Sequence, residues 1–213
     1  MERPHLDDLG NTTCFTLVEE LDHDNLVPAV NRYLARASPV KYAYFAAKLL
    51  ALVLAVYLVV RSGQPFVDGF SQFGMGFLVG FLILLPIHEH LHALAYRRFG
   101  ATNVSVVYRW RSLNAYCAAD RFVADARQFA WVCLLPFLVL TTALLLAVAL
   151  FAPPRPFLAG ALLLHTGACS GDFALLNLVW AHRATGLFTY DDMAAKRTYF
   201  FVPARRPSVA SKE

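Results

Sequence analysis

The chain has 213 residues, of which 58% are hydrophobic and only 16% charged, with a formal net charge of +4. That apolar share lies well above the range of soluble globular domains and excludes an ordinary soluble enzyme. The positive balance needs no nucleic-acid partner, because the Lys and Arg residues fall where they would set membrane topology.

Residues 1–14 read as a polar leader, and no cleavable signal peptide is expected, since the first apolar run begins only after about 40 residues. Over 15–36 the apolar positions Leu26, Val30, Tyr33 and Leu34 recur at helical spacing, with Asn25 as a cap and Pro28 in a first turn. This predicts an amphipathic helix, either lying near the inner membrane surface or packing on the domain. Four membrane spans are predicted at 42–60, 69–87, 129–152 and 156–181, each long enough for a hydrocarbon core of about 30 Å.

The first span carries one charge, Lys48, placed to reach headgroups by snorkelling. The second holds Gly69, Gly74, Gly76 and Gly80, small residues that let helices approach closely, and ends on Pro86, which predicts a local kink. Residues 101–119 are β-branched and aromatic, with Val104, Val106, Tyr108 and Trp110 on one side of an extended chain and Arg111-Ser112 placed to turn it back. They predict either a short hairpin, whose edge could take an extended substrate, or an interfacial loop with an aromatic belt. The third span, with Pro136, Cys133 and Trp131, reads as scaffold. The fourth is polar for a span, containing His165, Thr166, Cys169, Ser170, Asp172 and Asn177.

With the N-terminus in the cytoplasm, segments 1–41, 97–127 and 183–213 carry 16 of the 19 Lys and Arg, and the outer links only Arg61 and Arg155. Both termini are therefore expected to be cytoplasmic. The predicted organisation is a leader over 1–41, a four-span domain over 42–183 and a tail over 184–213. The fold class is an all-α membrane protein with a short cytoplasmic-side β-hairpin insert. Cys14, Cys117, Cys133 and Cys169 show no C-x-x-C spacing, and no disulfide framework is expected.

The strongest motif is His88-Glu89-His90-Leu91-His92, an H-E-x-x-H pattern at the inner end of the second span. On a helix, positions four apart share a face, so the two imidazoles can grip one metal ion, while Glu89 sits about 100° round the turn, able to hold a metal-bound water. By chance such a pattern arises in roughly one chain in two hundred of this composition. Charged and imidazole groups at that depth are costly and mark a functional site. Zinc suits two imidazoles plus a carboxylate with a position left for water.

The third ligand is found by elimination. After Glu89 the only Glu is the terminal Glu213, which removes a downstream glutamate. The metzincin extension fails because positions 95 and 98 are Ala and Arg. Asp172 is the one acidic residue after Glu89 inside a predicted span. His92 and His88 lie roughly 8 to 14 Å below the inner boundary and Asp172 roughly 16 Å, on spans running in the same direction. Gly167 and Gly171 would let that helix loosen. His165 could hydrogen-bond Asp172, stabilise an oxyanion or replace Asp172 as ligand. His90 points away from the metal pair, and Asn177 could serve either a substrate backbone or a neighbouring helix.

These residues resemble the site-2 protease class of intramembrane zinc proteases. More narrowly, His88–Leu94 followed by Phe99-Gly100-Ala101, Ala115-Tyr116-Cys117 and Ser170-Gly171-Asp172 resembles the bacterial zincin-peptidase domains of unknown function, over about 80–200. The resemblance implies one zinc held by His88, His92 and Asp172, Glu89 as general base, a bacterial inner (cell) membrane, contact with membrane lipid, and a protein or peptide substrate. The Asn-Pro-x-Pro-x-Leu-Asp-Gly run of the site-2 group is replaced here by Cys169-Ser170-Gly171-Asp172-Phe173, so substrate handling does not carry over. The competing reading is a non-hydrolytic metal-binding membrane protein, a transporter or maturation factor. A di-iron enzyme would need more histidine than the 7 present.

Overall fold

In the structure, a computed structural model, residues 4–109, 114–150 and 155–204 are described. Helix α3 (Pro39–Val60) begins where its sequence directs: Ser38 Oγ accepts from the Lys41 amide at 3.0 Å, and Pro39, with no amide hydrogen to satisfy, opens the first turn. α4 (Phe66–Val79), a π-helical turn (Gly80–Leu84) and α5 (Leu85–Arg98) follow as one continuous helical stretch of 33 residues. Pro86 stands in the first turn of α5. Where a kink is expected beside it, the backbone takes a π-helical turn just before Leu85.

α6 (Ala126–Leu150) keeps Pro136 buried within it. α7 (Arg155–Ala168) and α8 (Ser170–Ala181) form the last stretch, interrupted at Cys169, between the two glycines expected to loosen it. Four helical stretches, Pro39–Val60, Phe66–Arg98, Ala126–Leu150 and Arg155–Ala181, are long and apolar enough to cross a membrane. The fold has its polarity reversed along these stretches. Leu50, Val60, Phe66 and Val67 are exposed, whereas His88, Glu89, His92, His165, Asp172 and Asn177 are buried. An apolar solvent favours that arrangement and water does not.

Two small sheets accompany the helices, so the fold is mostly helical rather than wholly so. The hairpin reading of 101–119 is met by β2 (Val104–Arg109) paired antiparallel with β3 (Asn114–Ala119), Val106 opposite Cys117. Trp110 and the turn expected at Arg111-Ser112 lie outside the described residues.

The second sheet was not foreseen. Its order is β1 (Phe15–Asp22), β6 (Arg197–Pro203), β5 (Phe188–Asp192), β4 (Ala124–Asp125), all neighbours antiparallel. The amphipathic helix expected over 15–36 is therefore only α2 (Val27–Ala35). Its N-cap is Leu26, without a side-chain cap, instead of Asn25. Residues 15–22 become strand because Phe15, Thr16, Leu17 and Val18 fit a pleated surface and find β6 as partner. Leu9 of the short helix α1 (Leu6–Leu9) is buried against Val123 and Phe188, and docks the expected leader on this sheet.

Buried Asp191 joins the sheet to the hairpin. Its Oδ2 accepts from the Ala119 amide at 2.8 Å and its Oδ1 from Thr198 Oγ1 at 2.6 Å. Burial pushes its carboxyl up to about 6. The folded state thus holds this proton more tightly than the unfolded chain, whose carboxyl titrates near 4. The associated stabilisation is complete below about pH 4 and is lost as pH rises through about 6, a change on the order of 2–3 kcal/mol. Denaturant unfolding of wild type and Asp191→Asn from pH 4 to 7 should show wild type losing ground to the variant as pH rises. A difference independent of pH would refute this.

Candidate metal centre

Helix α5 carries His88, Glu89 and His92, and the first turn of α8 carries Asp172; all four are buried. The four-residue spacing brings the two imidazoles edge to face, with ring centroids 4.7 Å apart, an interplanar angle of 81° and their Nε2 atoms 3.1 Å apart. Asp172 Oδ2 lies 3.0 Å from His88 Nε2, and Oδ1 lies 3.2 Å from His92 Nε2. Three ligands on a tetrahedral zinc, with bonds near 2.0–2.2 Å, stand about 3.4 Å from one another. The three groups are thus already spaced like one face of such a coordination shell.

The hydrogen bonding gives the fit test. His92 Nδ1 is 2.8 Å from the Val132 carbonyl of α6, which can only accept, so Nδ1 carries the hydrogen. In the neutral ring Nε2 then presents its lone pair towards a carboxylate oxygen, an arrangement that calls for positive charge between them. Asp172 Oδ2, although close to His88 Nε2, has no partner of hydrogen-bonding geometry, and neither has His88 Nδ1. Buried polar atoms are rarely left so. Two imidazoles and a carboxylate, with an orphaned oxygen facing inward, fit a zinc-like divalent cation. The first turn of α8 adds its dipole in favour of the Asp172 charge.

Glu89 lines, with the triad, a cavity of about 500 Å³. Tyr116 and Cys117 of β3 form one wall, and Asp24, Asn25 and Leu26 of the segment leading into α2, with Val27 at its start, form another. This segment is tied to the hairpin by an ion pair of Asp24 with Arg109, and Lys196 Nζ reaches Asp24 Oδ2 at 3.3 Å. Burial and then the Glu89 charge push the Cys117 thiol up to about 12, so it stays protonated beside the site.

The remaining candidates fall outside the triad. His90 is exposed, with Nδ1 2.8 Å from the Pro86 carbonyl and 3.3 Å from Tyr108 Oη, and it links α5 to β2. His165 is 3.1 Å from Thr141 Oγ1 and makes no hydrogen bond to Asp172. Asn177 Nδ2 donates to the Tyr33 carbonyl at 2.8 Å and to that of Arg36 at 3.1 Å, pinning the end of α2 on α8. Of the alternatives weighed for Asn177, the neighbouring helix is the one observed. Sequence reasoning missed the 24–27 wall and the Val132 carbonyl. A backbone acceptor carries no side-chain signal, and Asp24-Asn25 reads as an ordinary helix start.

Residues 81–186 match the family model described as "Putative zincin peptidase". The comparison supports a zincin-like family. The matched span runs from the π turn past α8 and so takes in both halves of the triad. No curated protein and no solved structure gave a significant match.

Proposed function

We propose that the chain is an intramembrane zinc endopeptidase acting on membrane-associated proteins, in the manner of the site-2 proteases. The observation carrying this reading is the convergence of His88, His92 and Asp172 at 3.0–3.2 Å, with Glu89 in the same cavity. The family description supports the peptidase part. The reversed polarity and the four apolar stretches support the membrane part. The distribution of Lys and Arg supports cytoplasmic termini.

His88, His92 and Asp172 would hold the ion. When bound, zinc supplies a Lewis acid for the scissile carbonyl and acidifies water at the site. Glu89, buried and one residue from His88, would take a proton from the attacking water as the water oxygen bonds to the carbonyl carbon. The same carboxyl returns that proton to the amine nitrogen as the C–N bond breaks. The Val132 carbonyl holds His92 in the tautomer that leaves Nε2 free. Ala115, Tyr116 and Cys117 bring the edge of β3 into the cavity, where an extended substrate backbone could add as a strand. A spanning helical substrate would have to unwind to do so.

The test uses the full chain in liposomes with a reporter membrane peptide. One zinc per chain is expected, with cleavage abolished by chelation, restored by zinc, and absent from His92→Ala. Cleavage that survives chelation, or no zinc retained by wild type, would overturn the reading.

A further inference from the structure

We propose that His88, His165 and Cys169 form a second cation site for a thiophilic ion such as Zn²⁺, Cd²⁺ or Cu⁺, overlapping the first through His88. One ligand atom from each of the three lies within 4.8 Å of the others, and all three residues are buried. Cys169 Sγ stands 3.9 Å from His165 Nδ1. Sulfur and nitrogen on one tetrahedral zinc are about 3.6 Å apart, so a few tenths of an ångström close that edge.

Three further observations point to a ligand. His88 Nε2 faces His92 and Asp172, but its Nδ1 is buried and unpartnered. A void of about 20 Å³ borders His88 and His165, room for one water-sized occupant. Its wall includes Gly80, Phe81 and Leu84 of the π turn, an irregularity that often accompanies functional sites. Cys169 Sγ is also 4.0 Å from His165 Nε2; with the ring hydrogen on Nε2 towards Thr141 Oγ1, 3.1 Å away, Nδ1 is the nitrogen that keeps a lone pair for a metal. Cys169 lies at the α7–α8 break, fully buried, where the backbone leaves the regular helix.

Binding there replaces the thiol hydrogen by the metal, and the proton is released to solvent. Since His88 belongs to both sets, an ion in the second site competes for a ligand of the first. Softness separates the two, imidazole and carboxylate in one against imidazole and thiolate in the other. Only the competition rests on the peptidase reading; the second ligand set stands without it.

The probe is Co²⁺ added to the metal-free full chain in detergent, because a thiolate ligand gives a near-ultraviolet charge-transfer band that imidazole and carboxylate do not. Wild type should take its first equivalent without that band. Asp172→Asn and, independently, His92→Gln should acquire the band, and adding Cys169→Ser to either should remove it. The proposal is overturned if both folded single variants bind cobalt without the band, if they bind none, or if the band survives Cys169→Ser. A thiolate band on the first equivalent in wild type, lost with Cys169→Ser, would support the second site. It would count instead against His88, His92 and Asp172 as the primary triad.

Discussion

Glu89→Gln should lower kcat for peptide cleavage by about 10²–10⁴-fold, the usual worth of a positioned general base. The carboxamide nearly matches the carboxylate in size, so the buried side chain can keep its place in the cavity wall. It cannot accept the proton that the attacking water must lose. Glu89 is not among the three residues whose ligand atoms converge, so zinc stoichiometry should be unchanged. KM should move little, because the lost interaction is one made in the transition state. Steady-state kinetics with zinc analysis on the same preparation separates the possibilities. Normal kcat with one zinc bound removes Glu89 from the mechanism, whereas loss of zinc together with activity would make its role structural.

How much of this was legible before the structure depended on what each feature rests on. His88 and His92 are a local pattern, fixed by helical geometry once the segment is a helix. Asp172 is 80 residues from His92 in sequence, yet reading both segments as membrane spans makes its placement almost one-dimensional. Two spans running in the same direction need only equal depth for their polar residues to meet, and helical rise converts residue counts into depth. No comparable ruler exists outside the apolar stretches. β1 and β6 pair across about 180 residues, with Phe15 opposite Pro203 and Asp22 opposite Arg197, and neither strand has strict alternation to announce it. The local spacing of Leu26, Val30, Tyr33 and Leu34 was real, but its extension back through Phe15 was overridden by tertiary pairing. The hairpin could be read because its two strands are close in sequence and the first, with Val104, Val106 and Val107, is β-branched. The π turn could not, since Pro86 signals an irregularity without specifying its kind.

Gly160→Ala should disable the metal centre from a distance, and it tests whether helix packing sets the ligand geometry. A Cβ on Gly160 would overlap the Phe73 carbonyl oxygen, and one on Gly76 the Phe157 carbonyl oxygen, so α4 and α7 touch backbone to backbone. Gly76 precedes His88 by 12 residues and Gly160 precedes Asp172 by 12. The glycine contact and the ligand contact are therefore two points of one parallel register, joined by α4–α5 on one side and α7–α8 on the other. Forcing these helices apart costs at least the 1–3 kcal/mol typical of overpacking, about, since the obstacle is backbone and cannot rotate away. The displacement passes to His88 and Asp172, whose spacing leaves little slack for one small ion. Zinc affinity should fall by roughly 10-fold or more, as when a ligand's support is lost. Gly74→Ala is the control: its Cβ would meet nothing within 4 Å, so only the helix-propensity gain of up to about 1 kcal/mol remains. Thermal unfolding and zinc titration of both variants decide it. If Gly160→Ala behaves like Gly74→Ala, the close approach of α4 and α7 does not position the triad.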